Sequence, residues 1–358
     1  METMTTQTKD KTMSQRSSEA FNPVGLEGME FIEYASPDPD ALEELFYKLG
    51  FKKIAQHKSQ DVGLFRQGGV NFILNKEKGS FADEFRDAHG PSVCATGFRV
   101  KDAKEAFKAA VERGARPVEA APFHSFPAIY GIGDSVVYFV DHHHEGKVYE
   151  GDFNYIGPTD VPGFGAEVID HMTNNVPLGQ MQQWCDFYEK VFNFSEQRYF
   201  DIKGESTGLI SKVMRSPCKK IIIPINEPSD SKSQIQEYLD EYKGSGIQHI
   251  ALLTNDIIQT VSNMRRQGID FLEVPDTYYE LLPERMPQIS EDIDVLRDLK
   301  ILVDGDDEGY LLQIFTKTLI GPIFYEIIQR KNHNGFGEGN FQALFDSIEL
   351  DQKRRGYL

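Results

Sequence analysis

The chain has 358 residues, 40% of them hydrophobic, and sets 38 Lys+Arg against 56 Asp+Glu for a net charge of −18. That length exceeds one ordinary domain and predicts two. The acidic field repels phosphate backbones and anionic lipid, which excludes nucleic acid and membrane surfaces as expected partners. Cys94, Cys185 and Cys218 are widely spaced; they exclude a disulfide framework and a thiolate zinc site and suit a reducing cytosol.

Residues 1–22 are polar, lack the apolar run of a signal peptide, and read as a disordered tail. The longest apolar stretch, Leu319 to Ile328, carries Glu326 and falls short of the roughly 18 residues of a spanning helix. A cytoplasmic protein is expected.

From residue 23 the pattern predicts a strand at Met29 to Tyr34, a helix ending near Phe46-Tyr47, and short strands at 51–56, 63–67 and 70–74. Next comes a segment with an internal echo. Gly97 through Asp102 to Gly114 aligns with Ala251 through Asp256 to Gly268 at a constant offset of 154 residues. Asp102 and Asp256 stand where a helix N-cap belongs, Gly114 and Gly268 where a C′ glycine belongs. Phe187-Tyr188 before Phe194 repeats Phe46-Tyr47 before Phe51. At an offset of 176, Val137-Tyr138-Phe139 is matched with Gln313-Ile314-Phe315, and Tyr149-Glu150 with Tyr325-Glu326.

The expected organisation is therefore a tandem α+β fold. Residues 23–156 form one half, 157–166 (rich in Pro and Gly) a linker, 167–330 a second half, and 331–358 a terminal helix. Phe341, Leu344, Phe345 and Ile348 give that helix its apolar face.

What differs between the copies is the chemistry. The second half carries His171 in its first strand, His249 in the strand before the Asp256 helix, and Glu326 in its last strand. Two imidazoles and a carboxylate make the facial triad of non-haem Fe(II) enzymes if a curled sheet turns them inward. A buried histidine is more often a hydrogen-bonded core residue, so spacing alone leaves both readings open. In the first half Tyr34 and Ala95 are read as the counterparts of the histidines, with Glu150 matching Glu326, so that half is expected to hold no iron. His142-His143-His144 has no glutamate at suitable spacing and reads as a solvated loop.

With these residues in hand, the chain resembles the 4-hydroxyphenylpyruvate dioxygenase family, its bacterial members especially. The resemblance rests on Ile225-Asn226-Glu227-Pro228, Gly246 to Ala251, Pro275 to Tyr279, Leu311 to Thr316 and Gly335 to Phe341. It implies the vicinal-oxygen-chelate fold, paired βαβββ modules in each half, and one Fe(II) per chain on His171, His249 and Glu326. It implies conversion of 4-hydroxyphenylpyruvate and O2 to homogentisate and CO2 in tyrosine and phenylalanine catabolism, without 2-oxoglutarate. Ser211, Asn226, Gln234, Gln248, Gln313, Phe315, Phe336 and Phe341 are implied to line the substrate cavity, Gln234 with a catalytic role and Phe336 and Phe341 as a ring-stacking pair. A dimer or tetramer is implied as well. The alternative is 4-hydroxymandelate synthase, which hydroxylates the benzylic carbon of the same substrate. A metal-free binding protein on this fold is the reading from a different class.

Overall fold

The computed structural model describes residues 21–119, 126–203, 207–337, 339–340, 352–353 and 355–356. Phe341, most of the predicted terminal helix and nearly all of the N-terminal tail lie outside these residues. The first half contains β1 (Leu26–Ala35), α1 (Pro39–Lys48), β2 (Lys52–His57), β3 (Val62–Gln67), β4 (Val70–Asn75) and α2 (Phe81–His89). It continues with β5 (Ser92–Val100), α3 (Ala103–Glu112), β6 (Ala128–Tyr130), β7 (Val136–Val140) and β8 (Phe153–Tyr155). The second half begins with β9 (Ala166–Asn175), α4 (Met181–Phe192), β10 (Ser195–Lys203), β11 (Gly208–Arg215), β12 (Ile222–Pro228) and α5 (Gln234–Tyr242). There follow β13 (Gly246–Thr254), α6 (Ile257–Arg266), α7 (Asp276–Glu280), α8 (Leu282–Arg285), α9 (Ile293–Leu299), β14 (Leu302–Asp306), β15 (Gly309–Phe315) and β16 (Phe324–Lys331).

The strands form two mixed sheets, ordered β6-β7-β5-β1-β4-β3-β2-β8 and β10-β11-β12-β9-β13-β16-β15-β14. Read in opposite directions these are one order, with β7-β5-β1-β4 matching β16-β13-β9-β12. The repeat is local chemistry expressed twice. Asp102 caps α3 through Glu105 N–H, and Asp256 caps α6 through Gln259 N–H. Gly114 and Gly268 follow those helices at φ +102° and +85°, where a side chain would be strained. One large hydrophobic cluster runs through both halves, and a separate one fills the inner face of the first sheet. The large cluster is joined across the interface by the Tyr34 hydroxyl to the Tyr325 hydroxyl at 2.8 Å, and by His89 stacked on Tyr242 at 4.9 Å.

The sheet topology corrects the pairings made at the 176 offset. β7 lies parallel to β5, with Gly97 opposite Tyr138, just as β16 lies parallel to β13, with Ala251 opposite Glu326. The counterpart of Glu326 is therefore Tyr138, and β7 matches β16 rather than β15. Glu150 sits in an exposed turn. Likewise Phe31 faces Gly97 while His171 faces Ala251, so the counterpart of His171 is Phe31, not Tyr34. Helices α7, α8 and α9 and strand β14 enlarge the second half, so no constant offset can span it. On the far edge of the first sheet, the expected third strand of the module is reduced to a bridge between Pro117 and Ile129, and β8 returns to pair with β2.

Candidate metal centre

Three adjacent strands, β9, β13 and β16, carry the three polar groups. His171 and Glu326 lie in one row on either side of Ala251, and His249 stands two residues along β13 on the same face. Ala251 projects a single carbon, so the two longer side chains meet over it. His171 Nε2 lies 3.2 Å from Glu326 Oε2, His249 Nε2 3.6 Å from the same oxygen, and the two Nε2 atoms are 3.4 Å apart.

An ion held at roughly 2.0–2.2 Å by each donor needs donors about 3.0–3.5 Å apart. The triangle fits. All three side chains are buried, and Glu326 Oε1 is a buried oxygen with no hydrogen-bond partner, a costly state that a cation relieves. Burial disfavours the charged ring of His171, but Glu326 and Asp170 outweigh it and lift its pKa to about 9. Burial and the neighbouring His171 push His249 well below its usual value.

The surroundings fix the rings. His171 Nδ1 donates to Asp170 Oδ2 at 2.8 Å, and Asp170 receives Arg330 through both oxygens at 2.8 Å. Burial works against the Asp170 carboxylate, yet Arg330 and His171 hold its pKa far below the usual range. His249 Nδ1 meets Gln248 Oε1 at 3.1 Å, and Phe324 stacks on the His249 ring at 4.8 Å. With Nδ1 so engaged on both rings, both Nε2 atoms are turned to the shared centre, where His249 Nε2 also meets Thr173 Oγ1 at 3.0 Å. Arg330 also donates to the carbonyls of His333 and Gly335 and lies 5.9 Å over the Phe336 ring. One guanidinium therefore ties the metal side of the site to the segment that follows β16.

The donors open into a small cavity of about 70 Å3 walled mainly by apolar and aromatic side chains, with a few polar groups among them. Of the residues expected there, Ser211, Asn226, Gln234, Gln248, Phe315 and Phe336 line it. Ser211 and Asn226 face each other across β11 and β12, and Gln234 opens α5 behind its cap Ser233. Phe336 stands edge-on to His171 at 5.8 Å. Gln313 is not on the lining; its fully buried amide lies against Gly337, where an added Cβ would come within 2.1 Å. Phe341 falls outside the described residues.

The sequence reading missed Thr173, Phe324, Asp170 and Arg330. Alternation along a strand would have found the first two, since Thr173 lies two residues past His171 and Phe324 two before Glu326. Arg330, four beyond Glu326 on β16, shares its face for the same reason. Asp170 is reached only through a bulge in the β9–β13 register.

Fold and site together define a member of the glyoxalase, bleomycin resistance protein and dioxygenase superfamily, whose family pattern matches residues 168–284. Residues 21–154 match the family described as hydroxyphenylpyruvate dioxygenase, N-terminal. The chain is 51% identical over 342 residues to 4-hydroxyphenylpyruvate dioxygenase of Legionella pneumophila, covering 94% of this chain and 98% of that one. It is 48% identical over 350 residues to the Pseudomonas aeruginosa enzyme of the same name, covering 95% and 98%. It is also 51% identical over 355 residues to a Vibrio vulnificus protein named hemolysin VllY, covering 95% and 99%. Among solved structures, a variant of 4-hydroxymandelate synthase from Streptomyces coelicolor superposes with a TM-score of 0.79 at 25% identity, covering 92% of this chain and 99% of that one. The chain belongs to the 4-hydroxyphenylpyruvate dioxygenase family. It is a dioxygenase, and no helix among the described residues is long and apolar enough to cross a membrane.

Proposed function

We propose that the chain converts 4-hydroxyphenylpyruvate and O2 to homogentisate and CO2, with one Fe(II) held by His171, His249 and Glu326. The observation that carries this reading is the buried convergence of those three donors on one largely apolar, ring-lined cavity, in a chain about half identical to bacterial enzymes of that name. Fe(II), when bound, supplies the redox chemistry with O2 and a positive charge for the 2-oxo acid. The substrate brings its own oxo acid, so no 2-oxoglutarate is needed. Both atoms of O2 are retained in homogentisate, and the substrate's carboxylate leaves as CO2.

The chain's own residues bind, orient and exclude water. Ser211, Asn226, Gln234 and Gln248 are the polar groups of an otherwise apolar lining and would orient the phenol and the oxo acid. Gln234, at the start of α5, would hydrogen-bond the substrate and fix the ring for hydroxylation. Phe336 and Phe315 offer aromatic surface to the ring, with Phe341 as the second stacking partner implied by the family resemblance. Asp170 keeps the His171 proton on Nδ1. Water excluded from the cavity cannot intercept reactive species. Gln313, behind Gly337, supports the wall rather than touching substrate.

The test is anaerobic reconstitution with Fe(II), followed by oxygen uptake with 4-hydroxyphenylpyruvate and identification of the product. Homogentisate, one per O2, is expected. Pro224 and Asn226 in the lining favour ring hydroxylation; 4-hydroxymandelate as product would transfer the chain to benzylic hydroxylation. No turnover by iron-loaded protein would leave a binding protein.

A further inference from the structure

The histidine tract at 142–144 is not a free loop. His143 and His144 lie in a short turn after β7, bracketed by residues in the left-handed region, His142 at φ 61° and Gly146 at φ 70°. That conformation turns both rings back toward the start of β1. There Glu27, far away in sequence, meets them: its Oε2 is 2.9 Å from His143 Nε2 and 2.8 Å from His144 Nε2. The glutamate that spacing did not show is supplied by tertiary structure, while the tract itself is the exposed turn expected, with His142 and His144 at the surface.

We propose that Glu27, His143 and His144 form a second divalent-metal site, on the first half, that takes a six-coordinate borderline ion such as Ni(II) or Co(II). Their three donor atoms all lie within 4.8 Å of one another. The Glu27 oxygen and either imidazole nitrogen, 2.8–2.9 Å apart and each about 2.1 Å from an ion, would subtend close to a right angle there. That is the angle between neighbouring ligands of an octahedron, which imidazole with carboxylate offers to Ni(II) and Co(II). The remaining positions face an open cleft between the halves, lined in part by Glu27, His143 and His144, and water completes the shell.

The site differs from the buried triad in its support. His171 and His249 have Nδ1 engaged by Asp170 and Gln248, whereas His143 Nδ1 is buried without a partner. Loss of such outer contacts weakens metal binding by roughly 10–100-fold. The second ion therefore exchanges readily and is lost on treatment with a chelator that leaves the triad loaded. When bound, it clips the turn after β7 to β1 and raises the melting temperature in proportion to ligand excess.

The experiment is calorimetric titration of the iron-loaded full chain with Ni(II), with iron quantified before and after. One additional Ni(II) per chain is expected without iron release, together with a higher melting temperature. Glu27→Ala and His144→Ala should each lower that affinity at least tenfold and leave turnover unchanged. Glu27→Gln, which keeps the shape and a hydrogen bond, guards against misfolding and should lose affinity as well. His142→Ala, whose ring faces Asp141 and Glu145 instead, should change nothing. The proposal is overturned if the wild type takes up no further Ni(II), or if uptake survives Glu27→Ala and Glu27→Gln but disappears in His142→Ala, which would mark a local histidine tract.

Discussion

The two halves share the order of their central strands and the Asp-capped helices α3 and α6, yet at the three matched positions one half carries His171, His249 and Glu326 and the other Phe31, Ala95 and Tyr138. In the first half those residues belong to a single apolar cluster, with the Phe31 and Tyr138 rings 5.8 Å apart. The residue in the row between differs correspondingly. Gly97 lies under the Phe31 ring, where a Cβ would come within 2.6 Å, while Ala251 lies beneath two side chains that reach over it. The same backbone frame thus serves as a core when its inward positions are filled by rings, and as a coordination site when three donors converge. The metal preference is decided by side chains at three positions rather than by the fold.

The comparison can be broken most severely at the triad. His171→Ala, His249→Ala and Glu326→Ala should each lower turnover more than about 100-fold with the circular dichroism spectrum unchanged, while Ala95→His leaves turnover and tightly held iron at wild-type values. Oxygen uptake and iron analysis after desalting measure both. Restored activity in any of the three alanine variants would detach function from the site.

The opposite change should be purely structural. Phe31→Ala empties a filled position and should cost about 3–5 kcal/mol in urea unfolding, with kcat unaltered. A loss of iron in this variant would show the halves to be coupled through more than packing.

A buried carboxylate separates the halves by pH. Glu33 occupies the position of Thr173, accepts from Asn75 Nδ2 at 2.8 Å, and leaves Oε2 without a partner. Burial raises its pKa to about 7 from an ordinary 4.5. The folded state therefore binds the extra proton between those values, and stability falls as pH rises through that window. Glu33→Gln should abolish this slope and stabilise the protein at pH 8 by up to about 3 kcal/mol, read from urea midpoints at pH 5 and 8.

The smallest effect concerns the support of His171. Asp170→Ala should weaken metal binding by about 10–100-fold while the fold persists, and saturating Fe(II) should recover most of the turnover. Failure of added Fe(II) to rescue it would give Asp170 a role beyond holding the ring.

What the sequence by itself determined was local and periodic. Asp102 and Asp256 announced their helices because a carboxylate before an apolar period satisfies free N–H groups. Gly114 and Gly268 ended them because the chain turns there at positive φ. Donor types were legible too, though spacing alone left the two imidazoles and the carboxylate open to a hydrogen-bonded core reading as well. The relation between strands was decided only in three dimensions. A likeness between Tyr149-Glu150 and Tyr325-Glu326 suggested the wrong partner, because the residue opposite Ala251 or Gly97 is fixed by parallel pairing across the insertions of α7 to α9 and β14. Tyr34 and Phe31 are both fully buried, and the register between β1 and β5 sets Phe31, not Tyr34, opposite Gly97. A bulge in β9 turns Asp170 onto the ring of its own neighbour His171, and Glu27 meets His143 and His144 from a segment that no spacing relates to them. Side-chain type follows from the chain, but which groups meet depends on register, and register is set by the burial of the whole sheet.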